Sequence, residues 1–418
     1  MSLTTLPEQR GVARRSFSGT PGRLRLTAIG AVVAVLISAV LGAVALKMRS
    51  DALGRADSSA SHLLLLQSVQ TNLVTADADA TNAFLKGGLE PQEQRIGYLR
   101  ALEAVSKGLT TAARHSSEDA EALGEANAAI NRYAGFVSSA RANNRQGFSV
   151  GASYLKSASA LLNSQAEDEK GAIALIEERT EADTQAVADA YADAGFARWL
   201  LLLSAVVGIG GLLYAQVTLS RHSHRYLNLP VVASTVVLVV TLGAAAALMA
   251  SAQSQANDVR SESLRPAQDL SNSRVAAFTA KSTESLTLIQ QGSATPDDTL
   301  WKKNYEKALD LVDGDSKAQL EAYKAQHEKI NQLDVDGAWR SAVNLATSDS
   351  DTSANALFSQ YQDSTETDLE KVSGEHISDG LDSARDPLLP VAALLLLAGL
   401  FCAAAAWRGV SFRLNEYR

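Results

Sequence analysis

Four long apolar runs, separated by polar sequence, divide the chain. The runs cover residues 26–46, 199–219, 229–250 and 388–406, and none of them contains Asp, Glu, Lys or Arg. Roughly 20 residues of α-helix cross the hydrocarbon core of a bilayer. The hydrophobic pattern therefore predicts four transmembrane helices with two long polar stretches, 47–198 and 251–387, between them.

The arginines predict the orientation of these helices. A basic tail over residues 1–25, a short loop over 220–228 and a second tail over 407–418 carry ten arginines and two glutamates, whereas the whole chain has a net charge of −8. Positive charge marks the cytosolic side of a membrane. We therefore expect a multi-pass plasma-membrane protein with both termini in the cytosol, a disordered N-terminal tail and both polar stretches outside.

The first polar stretch has the spacing of amphipathic helices. Apolar or small residues recur three or four positions apart at 66, 69, 73, 76, 80 and 83, and again at 123, 126, 130, 133, 137 and 140. This spacing places one buried stripe on each helix. A break at His115-Ser116-Ser117 and a kink near Ser164 are also expected. The pattern predicts an antiparallel four-helix bundle.

The second polar stretch follows the same plan. Pro296 begins a helix as Pro91 does, and Tyr323 precedes Gly337 by the same 14 positions that separate Tyr133 from Gly147. We expect the first helix of this stretch to be interrupted at Pro266. The predicted fold class is thus an all-α membrane protein with four transmembrane helices and two extracytoplasmic antiparallel four-helix bundles, arranged as a tandem repeat.

No sequence motif indicates catalysis. Asp334-x-Asp336-Gly337 lacks the remaining ligands of a calcium loop and is read as a turn. His222-x-His224 could bind a metal or sense pH, but a solvated basic loop is the favoured interpretation. Gly208-x-Gly210-Gly211 is a helix-packing surface within a membrane run. We expect no enzyme activity, no catalytic, cofactor-binding or metal site, and no nucleic-acid partner.

Signal transfer is the favoured function, because helices continuous with exported bundles can pass small displacements inward. A structural, envelope-organising protein is the alternative, and a transporter-associated subunit a third, disfavoured because the spans lack ionisable residues. The arginines could instead only fix topology and touch anionic membrane lipid. The candidate partner-contact residues are, in the cytosol, Arg221, Arg225, Tyr226, Asn228, Arg413, Asn415, Tyr417 and Arg418, and outside, Arg145, Trp301, Tyr305 and Trp339.

The segment Asn143-Asn144-Arg145-Gln146-Gly147-Phe148-Ser149-Val150-Gly151-Ala152-Ser153-Tyr154-Leu155, together with the twofold plan, resembles the GlnX-type membrane proteins of actinobacteria. The bundles also resemble the ligand domains of chemoreceptors, although the methylated signalling hairpin is absent. The first resemblance implies two partners: an extracellular amino-acid-binding lipoprotein of the GlnH type and a cytosolic serine/threonine kinase of the PknG type. The resemblance implies a transmembrane signalling adaptor for amino-acid sensing.

Overall fold

The computed structural model describes residues 20–87, 90, 92–116, 119–146, 149–166, 168–223, 228–290, 298–348, 350–372 and 374–415. These residues are almost all helical. The α-helices are, in chain order, α1 (Thr20–Lys86), α2 (Gln92–His115), α3 (Ala120–Arg145), α4 (Val150–Asn163), α5 (Ala172–Ser223), α6 (Leu229–Asp258), α7 (Arg265–Ile289), α8 (Thr299–Leu309), α9 (Gly314–Val335), α10 (Trp339–Thr347), α11 (Ala354–Lys371), α12 (Gly374–Arg385) and α13 (Leu388–Asn415).

The residues group into two compact units. The apolar unit comprises Met1–Asp57, Ala188–Asn257 and Asp379–Arg418, and the polar unit comprises Ser58–Val187 and Asp258–Ser378. Most of both polar stretches thus belongs to one compact unit, while the ends of each stretch belong to the apolar unit. Their division into two tandem bundles stays a prediction, as do the predicted boundaries of the spans.

Four helical segments are long and apolar enough to cross a membrane: Arg25–Lys86, Ala172–Arg221, Leu229–Ile289 and Ala354–Gly409, of which the last covers α11, α12 and most of α13 and includes residue 373, outside the described residues. Each extends well beyond the roughly 20 residues that a bilayer requires. Such a set of helices is typical of a membrane protein. The membrane and the sidedness of the termini stay predictions.

Small residues bring the helices of the apolar unit together. Ser38 on α1 and Ser204 on α5 exchange hydrogen bonds, each hydroxyl donating to the other's carbonyl oxygen at 2.7 and 2.6 Å. Gly208 lies one turn further along α5, where any β-carbon would collide with the Ser38 side chain. This close approach confirms the predicted packing role of Gly208, because membrane helices associate through small residues.

The core of the polar unit contains the predicted stripes. All six stripe positions of α1 and all six of α3 are buried. Residues of both polar stretches, from Leu66 to Tyr361, belong to the same hydrophobic cluster. Burial of these side chains is the main favourable contribution to folding, at about 25 cal/mol per Å² of apolar surface.

One local prediction is wrong. In place of a kink near Ser164, α4 ends at Asn163 and a two-stranded hairpin follows, with β1 (Gln165–Ala166) pairing antiparallel to β2 (Glu169–Lys170). The predicted interruption at Pro266 is present as a change of helix type just before this residue. A π-helical turn, Val259–Leu264, joins α6 to α7, and Pro266 lies in the first turn of α7. The wider turn accommodates a residue that has no N–H to donate.

Candidate functional site

A polar cavity of about 420 Å³ lies inside the polar unit, between α1, α2, α7 and α11. Its lining draws on both polar stretches, so that α1 and α2 supply one part and α7 and α11 the other. We call it the Asp79 cavity. Its lining includes Asp79, Asn82, Lys86, Gln94, Gly97, Phe278, Lys281, Asn355 and Phe358. A space of this size holds several water molecules or a small ligand.

Asp79 is the most unusual group in this lining. Its carboxylate makes no hydrogen bond and no ion pair with any described residue. Burial raises the pKa of Asp79 from its ordinary value to about 7, opposed by the positive charge of Arg141 and reinforced by the negative charge of Glu90. An uncompensated carboxylate of this kind is costly for folding and is more typical of a functional site than of a structural one.

Two amide oxygens beside Asp79 also lack donors. Asn82 is only 5% exposed, and its Nδ2 donates to Asn355 Oδ1 at 2.9 Å. Asn82 Oδ1 and Gln94 Oε1 are buried without a hydrogen-bond partner among the described residues. Gly97 on α2 approaches Asp79 so closely that a β-carbon at this position would lie only 2.8 Å from Asp79 Oδ2. The cavity therefore presents acceptors and room for a donor.

A charge network that is buried except at Asp298 adjoins the cavity through Lys281. Lys281 Nζ donates to Glu284 Oε1 at 2.7 Å, and the other oxygen of Glu284 lies 2.7 Å from His327 Nδ1. His327 Nε2 lies 2.9 Å from Asp298 Oδ1. Three of these residues are at most 2% exposed. The network links α7, α9 and the residue before α8, so it fixes their mutual packing.

The network perturbs its own pKa values. Burial opposes ionisation of Glu284, but Lys281 and His327 outweigh it and lower the pKa of Glu284 to about 2. Burial would likewise lower the pKa of His327, but hydrogen bonds and charges from Glu284 and Asp298 outweigh it and raise the pKa. The ionised forms of both residues are thus those that the fold favours.

A second buried carboxylate connects the two polar stretches directly. Asp77 Oδ2 accepts hydrogen bonds from Ser282 Oγ at 2.5 Å and from Ser159 Oγ at 3.1 Å. Burial raises the pKa of Asp77, while these hydroxyls oppose the rise. Asp77 lies on α1, Ser159 on α4 and Ser282 on α7, so a single side chain joins three helices.

A recess of about 230 Å³ contains one of the predicted contact residues. It lies among α1, α2 and α3 and is lined by Ala83, Phe84, Glu90, Gln92, Arg95, Arg141, Asn144 and Arg145. Arg141 Nη2 lies 2.7 Å from Glu90 Oε1, and Arg95 Nη1 lies 3.7 Å from Glu90 Oε2. Arg145 is exposed. Three arginines facing one glutamate leave an excess of positive charge, which suits an acidic surface of a partner.

The other predicted extracytoplasmic contacts lie at or near the core. Trp301 and Tyr305 are each 3% exposed, and Trp301 stacks on His327 with ring centroids 3.5 Å apart. Trp339 is partly buried and donates from Nε1 to the Leu288 carbonyl at 2.8 Å. These rings thus pack in the core around the buried charge network. A contact role for them stays a prediction.

The predicted cytosolic residues are only partly described. Arg221 is exposed at the end of α5, whereas Asn228 is buried and its Nδ2 donates to the Gly409 carbonyl at 3.0 Å. Arg413 and Asn415 belong to α13. Arg225, Tyr226, Tyr417 and Arg418 lie outside the described residues, as does His224 of the His222-x-His224 motif. The structure therefore brings no cluster of these residues together within its described part.

Sequence reasoning missed Asp79, Asp77 and the Glu284–His327 pair. Asp77 and Asp79 each lie beside the buried stripe of α1, and each is flanked by alanines. Acidic residues between small apolar residues on a buried helix face are the sequence signal that could have indicated a buried carboxylate. Among the described residues, no group of three His, Cys, Asp or Glu side chains has the arrangement to hold a metal ion. The site is therefore defined by charge and hydrogen bonding.

Residues 52–192, about one third of the 418-residue chain, match the family model of the actinobacterial sensor domain. The match contains Asp79, Gln94, Gly97 and the whole Arg145 recess. No curated protein and no solved structure matches the chain. The match supports a sensor protein of actinobacteria, and the second polar stretch, which completes the Asp79 cavity, lies beyond it.

Proposed function

We propose that this protein is a transmembrane signalling adaptor rather than an enzyme. It receives an extracytoplasmic signal through its polar unit and passes it to a cytosolic protein. One observation carries the proposal: the matched sensor domain begins on α1 and ends on α5, and each of these helices also contains a candidate membrane span. A change in helix packing within the sensor domain therefore acts on helices that continue as spans.

The polar unit offers a place for the signal to act. Its buried Asp77 joins α1 and α4 to α7, and the Asp79 cavity draws on the same pair of stretches. Binding that favours one packing of these helices shifts the population toward it. Helix displacements of about 1–2 Å are sufficient for signal transfer across interfaces in other switching proteins.

The proposed partners follow the resemblance to GlnX-type proteins. Outside, an amino-acid-binding lipoprotein docks at the Arg145 recess, whose excess positive charge suits an acidic surface. Inside, a serine/threonine kinase contacts the basic loop and tail, in which Arg221 and Arg408 are exposed. The amino-acid signal then reaches the kinase without a catalytic domain in this chain.

Orientation is tested with cysteine labelling, because Cys402 is the chain's single cysteine. In a Cys402→Ala background, Ser138→Cys on α3 and Arg408→Cys on α13 introduce one exposed thiol each. A membrane-impermeant maleimide added to intact cells should label Ser138→Cys and leave Arg408→Cys unlabelled until the cells are opened. The reverse pattern would exclude the proposed direction of signalling.

Partner contact is tested with a photo-crosslinking amino acid in native membranes. Placed at Arg145, it should capture a solute-binding lipoprotein, and placed at Arg221, a protein kinase. Exposed Arg100 on α2, outside the recess, is the matched control for Arg145. Capture of neither class of protein while both are expressed, or equal capture from Arg100, would contradict the adaptor and favour the structural alternative.

A further inference from the structure

We propose that the Asp79 cavity binds a small organic ammonium ion, with the Asp79 carboxylate as its counter-ion. The inference deepens the proposed function by naming a class of ligand for the polar unit. It rests on that function only for the consequence of binding, since binding itself is measured on the purified protein.

The first argument is the balance of donors and acceptors. Asn82 Oδ1 and Gln94 Oε1 are buried acceptors without donors among the described residues, and the Asp79 carboxylate lines the same cavity. An ammonium group carries three N–H donors and no acceptor, which complements such a set. Hydrogen bonds between charged groups are about twice as strong as those between neutral ones.

The second argument is the net charge around Asp79. Arg141 acts on it from α3, but Arg141 is bound to Glu90 at 2.7 Å. Lys281 lines the cavity on α7 and is bound to Glu284 at 2.7 Å. Lys86 also lines the cavity, on α1, and has a partner of its own. Arg141 and Lys281 are thus bound to other carboxylates, so a cationic ligand would compensate the charge of the ionised form of Asp79.

The third argument is space. The cavity of about 420 Å³ is lined by Asp79 and also by Phe278 and Phe358, whose rings meet edge to face at 5.0 Å. The ammonium group of a ligand can lie beside the Asp79 carboxylate, while its short alkyl chain packs against the two aromatic rings. A ligand held there bridges α1 and α2 to α7 and α11, which belong to different stretches.

The test uses the full-length protein in lipid nanodiscs and measures thermal unfolding at pH 8 with ethylammonium chloride. Tetramethylammonium chloride at equal ionic strength is the control cation, because it has the charge but no N–H donor. Ethylammonium should raise the Tm saturably and tetramethylammonium should not, since only a ligand of the folded state stabilises it. Equal responses to both salts would show a solvent-filled cavity or an ionic-strength effect only.

Variants assign the effect to the cavity. Asp79→Asn keeps the size of the side chain and should weaken ethylammonium binding by at least about tenfold. Gly97→Ala should weaken it similarly, because the added β-carbon would displace the Asp79 carboxylate. Asp351→Asn, an exposed position in the turn before α11, should leave the binding unchanged. Undiminished binding in Asp79→Asn would overturn the proposal.

A pH series provides an independent readout. Because the pKa of Asp79 is about 7, only a few per cent of the carboxyl is ionised at pH 5.5. The affinity for ethylammonium should therefore fall by roughly 30-fold between pH 8 and pH 5.5. Binding that does not depend on pH would contradict Asp79 as the counter-ion. None of these results depends on a lipoprotein or kinase, so failure here leaves the crosslinking test of the adaptor intact.

Discussion

Asp79→Asn should make the protein more stable at neutral and alkaline pH. Burial raises the pKa of Asp79 from 3.8 to about 7, so the folded protein binds this proton more tightly than the unfolded chain does. Stability therefore falls as the pH rises from about 4 to about 7, and the whole loss is present above pH 7. The side-chain amide of asparagine is neutral, so the variant does not lose stability through desolvation of a charge at this position.

The magnitude follows from the size of the shift. Each pKa unit corresponds to about 1.4 kcal/mol, so the full shift sets a ceiling of about 4 kcal/mol. The Asp79 side chain is partly exposed, and allowing for solvent reduces the gain to about 2 kcal/mol. For a unit of about 250 residues, this corresponds to a rise in Tm of about 4 °C.

The assay is thermal unfolding of the wild type and Asp79→Asn in nanodiscs from pH 4 to pH 8, without added amines. The difference between the two proteins isolates Asp79 from His62 and His327, whose pKa values are also perturbed. The gain should be near zero at pH 4 and largest above pH 7. A variant less stable than the wild type at pH 8 would refute the claim that Asp79 lacks a partner.

Three further variants probe the buried polar groups, each by its Tm. Glu284→Gln removes the partner of two buried cations and should lower the free energy of unfolding by about 3–5 kcal/mol. The control, Glu328→Gln at an exposed position on α9, should leave the stability almost unchanged. Similar losses of stability in both variants would contradict the network. Ser282→Ala should cost about 1–3 kcal/mol by removing a donor to buried Asp77, and an unchanged Tm would refute that bond. Arg49→Met should raise the Tm, because this arginine is only 1% exposed and its Nε and Nη2 have no partner among the described residues. A lower Tm would show that the hydrogen bonds of Arg49 to Ala194 and Gln253 outweigh the cost of desolvating its charge.

Much of the fold could be predicted from periodicity. The stripes of α1 and α3 follow the three-to-four spacing of apolar residues, and the apolar runs fall within the four long helices. The hairpin after α4 could not be predicted in this way. Its strands are two residues long, and the polar segment 164–170 shows none of the apolar alternation that marks a half-buried strand.

The site was less predictable because its chemistry depends on contacts distant in sequence. Asp77 and Ser282 are 205 positions apart, and the Asp79 cavity likewise joins α1 to α11. Periodicity reports which face of a helix is buried but not what it meets there. Trp301 and Tyr305 illustrate the same limit: the sequence places both rings on a short helix, but not the stacking of Trp301 between Tyr305 and His327.

The 205 positions between Asp77 and Ser282 also matter while the chain is being made. A ribosome adds roughly 5–20 residues per second, so about 10–40 s pass between the synthesis of Asp77 and that of Ser282, its hydrogen-bond donor. The two predicted membrane spans that lie between these positions, 199–219 and 229–250, are also synthesised during that interval. During this interval the first polar stretch lacks the part of its hydrophobic core that the second stretch supplies. We therefore expect the nascent chain to be most sensitive to proteases, and most dependent on chaperones, before residue 282 has been synthesised.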